Sequence, residues 1–231
     1  MRFHDHRQAG QELAARLVEW AADGDLGEPV VLALPRGGVP VAAEIARALG
    51  TPMDVLVARK IGLPDRPEVG VGALVGEDAP VFDEESLAML GMSEDEFAPE
   101  VARQRAELHR REDLYRQGRP DPETAGRTVV LVDDGLATGV TARAALRHLR
   151  GTDPGRLILA VPVGSPEAAE AMRREADDVI CLYRPDSFRS VGEWYEEFPQ
   201  VTDNEVISTL RTPAISPARG PVGRGGASRR G

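Results

Sequence analysis

Val129-Val130-Leu131-Val132-Asp133-Asp134-Gly135-Leu136-Ala137-Thr138-Gly139-Val140-Thr141 is the stretch on which the reading of this 231-residue chain turns. Residues 129–132 are aliphatic without interruption, the pattern of a strand buried on both faces. Two carboxylates follow at its carboxyl end, then a run of small residues and threonines, and 142–149 reads as a helix. Such a strand–loop–helix unit suits a phosphorylated sugar. Small residues let backbone N–H groups approach phosphate oxygens, the Thr138 and Thr141 hydroxyls add donors, and a helix N-terminus favours an anion. Asp133 and Asp134 cannot serve a phosphate. They can accept hydrogen bonds from vicinal ribose hydroxyls, or hold Mg²⁺ between themselves and a ligand. An Asp-Asp-Gly alone could equally be a solvated acidic corner; the full string is far more restrictive.

The string resembles the phosphoribosyl-pyrophosphate (PRPP) motif of the type I phosphoribosyltransferases: four apolar residues, two acids, then a loop ending T-G-x-T. All of those positions match. The resemblance implies ribose 2′- and 3′-hydroxyls on Asp133 and Asp134, with Mg²⁺ held indirectly by the same pair. It also implies a PRPP cradle of Gly135, Ala137, Thr138, Gly139 and Thr141, with the 5′-phosphate at 137–141. The acceptor base is left unnamed by it.

A second unit of this kind lies upstream. Residues 29–34 read as a buried strand, Pro35-Arg36-Gly37-Gly38 follows at its end, and a helix over 39–49 opens with Pro40, near N1, and stops at Gly50. It resembles the family's pyrophosphate loop, which implies Arg36 and the N–H groups of Gly37 and Gly38 facing the pyrophosphate, and a cis bond between Pro35 and Arg36. Catalysis on this resemblance falls to Arg36, Asp133 and Asp134. The next strand, 53–60, ends in Arg59-Lys60 where a phosphate substrate would lie, which makes Lys60 a further pyrophosphate candidate.

Residues 61–68, with Gly62, Pro64 and Pro67, read as a loop. The glycines of 69–76 superficially offer G-x-G-x-x-x-G, but no clear strand leads in and the third glycine is one place late for a dinucleotide fingerprint. This stretch reads as short strands of a mobile excursion, and 61–118 as a flexible-loop and helical insertion. A helix starts at the Ser93–Glu96 capping-box spacing or at Pro99 and runs through Tyr115. Of its arginines 103, 105, 110, 111 and 116, most read as surface ion pairs, and one or two as able to close over pyrophosphate. Nothing in the sequence chooses between them. At the N-terminus, 8–22 has helical apolar spacing, and His4 and His6 read as surface residues rather than a metal site.

Downstream, 156–161 and 178–182 are strands and 166–175 a helix; Cys181 reads as a buried small hydrophobe. The repeated β–loop–α pattern predicts an α/β fold, a central, mostly parallel sheet flanked by helices, with ligands at the carboxyl ends of its strands. Together with the resemblance this is the type I phosphoribosyltransferase fold, with a small hood and flexible-loop region. The segment 185–195 gathers aromatics in a chain where they are only 4% of residues. By resemblance to hypoxanthine-guanine phosphoribosyltransferases, Phe188 is the base stacker, with Trp194 and Tyr195 as further nucleobase candidates. A hydrophobic cover over the sheet edge is the alternative. A short helix is expected over 203–210, a hood over 184–211, one domain over 1–211 and a disordered tail over 212–231.

A net charge of −10 argues against a general nucleic-acid or anionic-membrane binder. One cysteine allows no internal disulfide and fits a reducing compartment. Residues 1–7 carry no apolar signal region, and no apolar run approaches the roughly 20 residues of a membrane span. A soluble, cytoplasmic protein is expected, and a homodimer by analogy. Ala137 stands where 6-oxopurine enzymes of the family place an acid before T-G, and A-T-G matches the adenine enzymes. The layout as a whole, with R-K-I-G-L-P-x-x-P-E and a V-G-x-W-Y ending, looks most like an uncharacterised bacterial branch of the family. The expectation is Mg²⁺-dependent transfer of 5-phosphoribosyl from PRPP to a purine-like nucleobase, releasing pyrophosphate and a nucleoside monophosphate, as in nucleotide salvage. The alternative is a PRPP- or nucleotide-binding regulatory protein without catalysis. A P-loop NTPase is set aside, since no G-x-x-x-x-G-K-[ST] occurs.

Overall fold

In chain order the elements are α1 (His6–Ala22), β1 (Val30–Ala33), α2 (Gly38–Leu49), β2 (Met53–Val55), β3 (Ala58–Leu63), β4 (Arg66–Val75), β5 (Val81–Phe82), α3 (Glu84–Leu90), α4 (Ala98–Arg116), β6 (Thr128–Val132), α5 (Val140–Arg150), β7 (Arg156–Val163), α6 (Pro166–Met172), β8 (Asp178–Tyr183) and α7 (Asp203–Arg211). This is a computed structural model, and it describes residues 2–22, 26–63 and 65–212. The expected disordered tail therefore lies, apart from Thr212, outside the described residues.

Five strands form a parallel sheet in the order β2-β1-β6-β7-β8. Their aliphatic runs follow from burial on both faces. Along β6, Val130 and Val132 pack with Leu13, Leu17, Val41 and Ile45 on the α1–α2 side. Val129 and Leu131 pack with Leu146, Leu149 and Met172 on the α5–α6 side. From β1 the chain winds outward to β2, and in the other direction through β6, β7 and β8. The strand order thus reverses between β1 and β6, which opens a crevice beyond their carboxyl ends.

The sequence reading of 53–76 is corrected. The strand expected over 53–60 is two strands: β2 ends at Val55, and β3 starts at Ala58 in a separate antiparallel sheet of order β3-β4-β5. The loop expected over 61–68 is strand at both ends, with β3 and β4 paired as a hairpin. The reason lies in the glycines, which mark close approach here rather than turns. A Cβ at Gly72 would lie 2.8 Å from Phe82 Cδ1 and 2.9 Å from the Val81 carbonyl oxygen on the paired β5. Both start signals for the following helix are used: Ser93 and Glu96 form a capping box on a 3-10 turn at Glu94–Phe97, and α4 follows with Pro99 in its first turn.

After β8 the chain crosses back over the carboxyl end of the sheet. Phe3 N–H donates to the Trp194 carbonyl at 2.8 Å and Glu196 N–H to the Phe3 carbonyl at 2.8 Å, so the N-terminal segment pins this strap. α7 then packs against α2 and α4, burying Val206. Among the described residues no helix is long and apolar enough to cross a membrane.

Candidate functional site

The two loops singled out in the sequence meet at the crevice. Leu34 N–H donates to the Val132 carbonyl at 2.8 Å, and the Pro35–Arg36 bond is cis, as the resemblance implied. A Cβ on Gly37 would fall 2.5 Å from Asp134 Cγ, and one on Gly38 would fall 2.7 Å from the Val132 carbonyl oxygen. The loops interlock, and only glycine fits at both positions. On the other side, Leu136 N–H donates to the Val163 carbonyl at 2.8 Å and Ser165 Oγ to the Ala137 carbonyl at 2.9 Å, tying the 135–139 loop to the end of β7. Gly139, at φ 77°, turns the chain into α5. The first amides of that helix have no intrahelical acceptor. Beside them Ala137 and Thr138 are exposed and Thr141 half-buried.

Asp133 keeps some exposed surface but is densely surrounded by protein. Burial first, and the neighbouring Asp134 second, push its carboxyl well above the usual carboxylate range. Asp134 N–H donates to Asp133 Oδ1 at 2.9 Å. A second charged carboxylate beside a crowded one raises the free energy of the unliganded pair, and hydroxyl donors or a cation would lower it.

Beside Asp134 lies a cleft of about 500 Å³ lined by Arg36, Arg59, Arg111, His6 and the strap residues 198–201. Arg36 Nη1 lies 3.5 Å from Asp203 Oδ1. Arg59 Nε donates to Gln104 Oε1 at 2.9 Å. Burial, and then the nearby Arg111, lower the Arg59 guanidinium from its ordinary value, since both disfavour the charged form; a bound anion would offset them.

The pyrophosphate candidate Lys60 is not among the residues lining this cleft, and Arg59 is. Neighbours on a strand point to opposite faces, and the Lys60 side chain lies across Gly70, where a Cβ would sit 3.0 Å from Lys60 Cγ. Of the five α4 arginines, Arg111 is the one lining the cleft. Arg103 pairs with Glu100, Arg110 with Glu107, Arg116 with Asp121, and Arg105 donates to the carbonyls of Gly76 and Asp78. Arg111 is held at 2.8 Å from Glu107 Oε1, and Glu107, bound by Arg110 first and Arg111 next, is lowered to about 2.

His6 departs from expectation. His4 is exposed and pairs with Glu196, as a surface residue does. His6 is 6% exposed, its ring packed against those of Tyr195 and Phe198 at 5.0 and 4.8 Å, with Nε2 3.5 Å from Asp134 Oδ2. The signal was present: His6, Ala9, Leu13 and Leu17 share one helical face, and carrying the period back from the expected start at residue 8 would have found it.

The aromatic segment is largely cover. Tyr195 is 4% exposed, and its hydroxyl donates to the Asp134 backbone carbonyl at 2.6 Å. Its ring meets Phe3, His6 and Phe198, so it stands as a buried strut and not as an open stacking face. Phe188 and Trp194 are partly buried against the same cluster. A Cβ on Gly135 would meet Val191 Cγ1 at 2.6 Å, so the strap lies directly on the acidic loop. Cys181 is half-buried, its thiol raised by burial.

A family model described as the phosphoribosyl transferase domain matches residues 2–197. Two curated Mycobacterium tuberculosis proteins, "Putative phosphoribosyl transferase Rv0571c" and "Putative phosphoribosyl transferase MT0597", are each 39% identical over 208 residues, 90% of this chain and 46% of theirs. The chain spans about half the length of these relatives. Among solved structures, TT1426 from Thermus thermophilus is 43% identical with a TM-score of 0.74, over 91% of this chain and 98% of that one. The matched span takes in both interlocked loops, the crevice between β1 and β6, and the strap as far as Glu197: the chain belongs to the phosphoribosyl transferase family.

Proposed function

We propose that this crevice binds PRPP and transfers its 5-phosphoribosyl group to a purine-like nucleobase, releasing pyrophosphate and a nucleoside monophosphate. The observation that carries the reading is the interlock of the Arg36-Gly37-Gly38 loop with Asp133-Asp134 at the strand-order reversal. It brings a basic, amide-rich loop and an acid pair together at one crevice. Asp133 and Asp134 accept hydrogen bonds from the ribose 2′- and 3′-hydroxyls. The amides and hydroxyls of Ala137, Thr138, Gly139 and Thr141, with Gly135 making the turn, hold the 5′-phosphate at the start of α5. Arg36 and the Gly37 and Gly38 amides meet the pyrophosphate, with Arg59 and Arg111 as its further cations.

The acid pair suits Mg²⁺. Among the described residues no three carboxylates, histidines or cysteines converge, so a bound ion would take its other oxygens from ligand and water, as Mg²⁺ does in phosphate sites. When bound, it would neutralise charge on the leaving pyrophosphate. In the reaction the C1′–oxygen bond to pyrophosphate breaks, a bond from C1′ to a base nitrogen forms, and that nitrogen loses its proton to solvent or to pyrophosphate. The guanidinium of Arg36 and the loop amides receive the charge on the leaving oxygens. Phe188 and Trp194 remain the aromatic candidates beside the base. A cytoplasmic homodimer belongs to the same proposal and rests on the family likeness alone.

One observation favours a second reading, binding without catalysis: exposed Ala137 brings no acid to the loop. Isothermal titration decides the first step. Mg²⁺-dependent PRPP binding is expected in the native chain and its loss in Asp133→Asn/Asp134→Asn; no binding at millimolar PRPP sinks the proposal. A nucleobase panel read by pyrophosphate release separates the readings, since binding without turnover on any base supports the regulatory one.

A further inference from the structure

Three distant parts of the chain meet beside the cleft. Asp203 is the first residue of α7, Tyr115 lies in the last turn of α4, and Arg36 sits on the loop after β1. The Asp203 carboxylate is not needed by its own helix. Thr202 and Glu205 already form a complete capping box there, with Thr202 N–H donating to Glu205 Oε2 at 2.7 Å and Glu205 N–H to Thr202 Oγ1 at 3.2 Å. Asp203 turns inward instead. Its Oδ1 accepts the Tyr115 hydroxyl at 2.5 Å and lies 3.5 Å from Arg36 Nη1.

Each partner is fixed from behind. Tyr115 is 2% exposed, and burial, followed by its bond to Asp203, pushes the phenol up to about 12, so it stays a donor. The Tyr115 bond first, then Arg111 and Arg36, hold Asp203 below its ordinary value, so it stays an anion. Arg36 itself is a long side chain on a loop, and its charge lines the cleft. A free guanidinium in that place gives up rotamer freedom when it captures a ligand. One already paired at Nη1 gives up less, and can still offer its remaining N–H groups to an anion.

We propose that Asp203, braced by Tyr115, is a positioning residue that holds the Arg36 guanidinium in the cleft for the anionic end of the substrate. The inference rests on the reading of the cleft as a PRPP site. It assigns the strap and α7 a part in binding beyond covering the sheet. The opposite arrangement, in which Asp203 competes with the substrate for Arg36, predicts the opposite sign.

The test uses the full chain, titrated with inorganic pyrophosphate in Mg²⁺. Asp203→Asn should weaken binding about tenfold, and Tyr115→Phe by about threefold, the scale of losing one bond to a charged group and one to its brace. Asp203→Glu should recover part of the loss. Melting temperatures read alongside separate positioning from packing, because a packing role lowers stability without changing the affinity of the folded protein. Unchanged or tighter binding in Asp203→Asn overturns the proposal. If that variant does not fold, Asp203→Glu and Tyr115→Phe carry the same comparison. A second measurement needs no ligand: the Arg36 Nε–Hε NMR signal should become more mobile in Asp203→Asn or Tyr115→Phe, and an unchanged signal also overturns the proposal. Should the native chain bind no pyrophosphate while this signal still depends on Asp203, the PRPP reading falls and the positioning role stands.

Discussion

Gly37 and Gly38 carry no side chains because the neighbouring strand end occupies the volume a side chain would need. At Gly37 that volume is the Asp134 carboxylate itself. Gly37→Ala therefore forces either the loop or the acid to move. A destabilisation of about 1–3 kcal/mol is expected from the overlap, with PRPP affinity falling at least tenfold because both binding loops shift together. Urea unfolding and titration check the two parts. At the residue scale, sequence reading paired the Arg36 loop with Asp133 and Asp134, and the structure brings the two together. Asp133, Asp134, Arg36 and the two glycines were legible because chemistry and spacing coincide within a few consecutive residues. Arg59 and Lys60 are not separable by composition, and only the strand's alternation distinguishes the faces they take. That alternation sends Arg59 inward and Lys60 over Gly70.

At the scale of the element, α4 is a ladder of ion pairs in which Glu107 ties Arg110 and Arg111 together. Glu107 is lowered from 4.5 to about 2. The folded chain thus binds fewer protons than the unfolded one between those values, and stability rises with pH there. The contribution is fully present above about 4.5 and is lost as pH falls towards about 2. Glu107 is partly solvated, so its contribution is at most about 1 kcal/mol. Glu107→Gln should lower stability near neutral pH and match the native chain near the acid end, as urea titrations at several pH values would show. The β3–β4 hairpin illustrates the limit of element reading. Its glycines look like loop punctuation until β5 and the Lys60 side chain are placed against them.

For the whole molecule, the strap joins parts that are far apart in sequence. Phe3 pairs with the Trp194–Glu196 backbone, Tyr195 reaches the Asp134 carbonyl, and Asp203 reaches Arg36. Tyr195→Phe keeps the buried ring and removes its hydroxyl bond to the central loop, so a loss of about 1 kcal/mol or somewhat more is expected, from leaving the Asp134 carbonyl without that donor. Thermal unfolding measures it. The sequence by itself determined the parallel α/β order and the two strand-end loops with the residue types they carry, because each is written in a contiguous run whose period and residue types have one physical solution. Only the tertiary structure decided that His6 lies against Asp134, that Arg59 and Arg111 share the cleft with Arg36, and that the aromatic segment is a strut and cover. Those contacts join residues tens to nearly two hundred positions apart. Their partners are chosen by packing across the sheet's carboxyl end, and no local pattern encodes that choice.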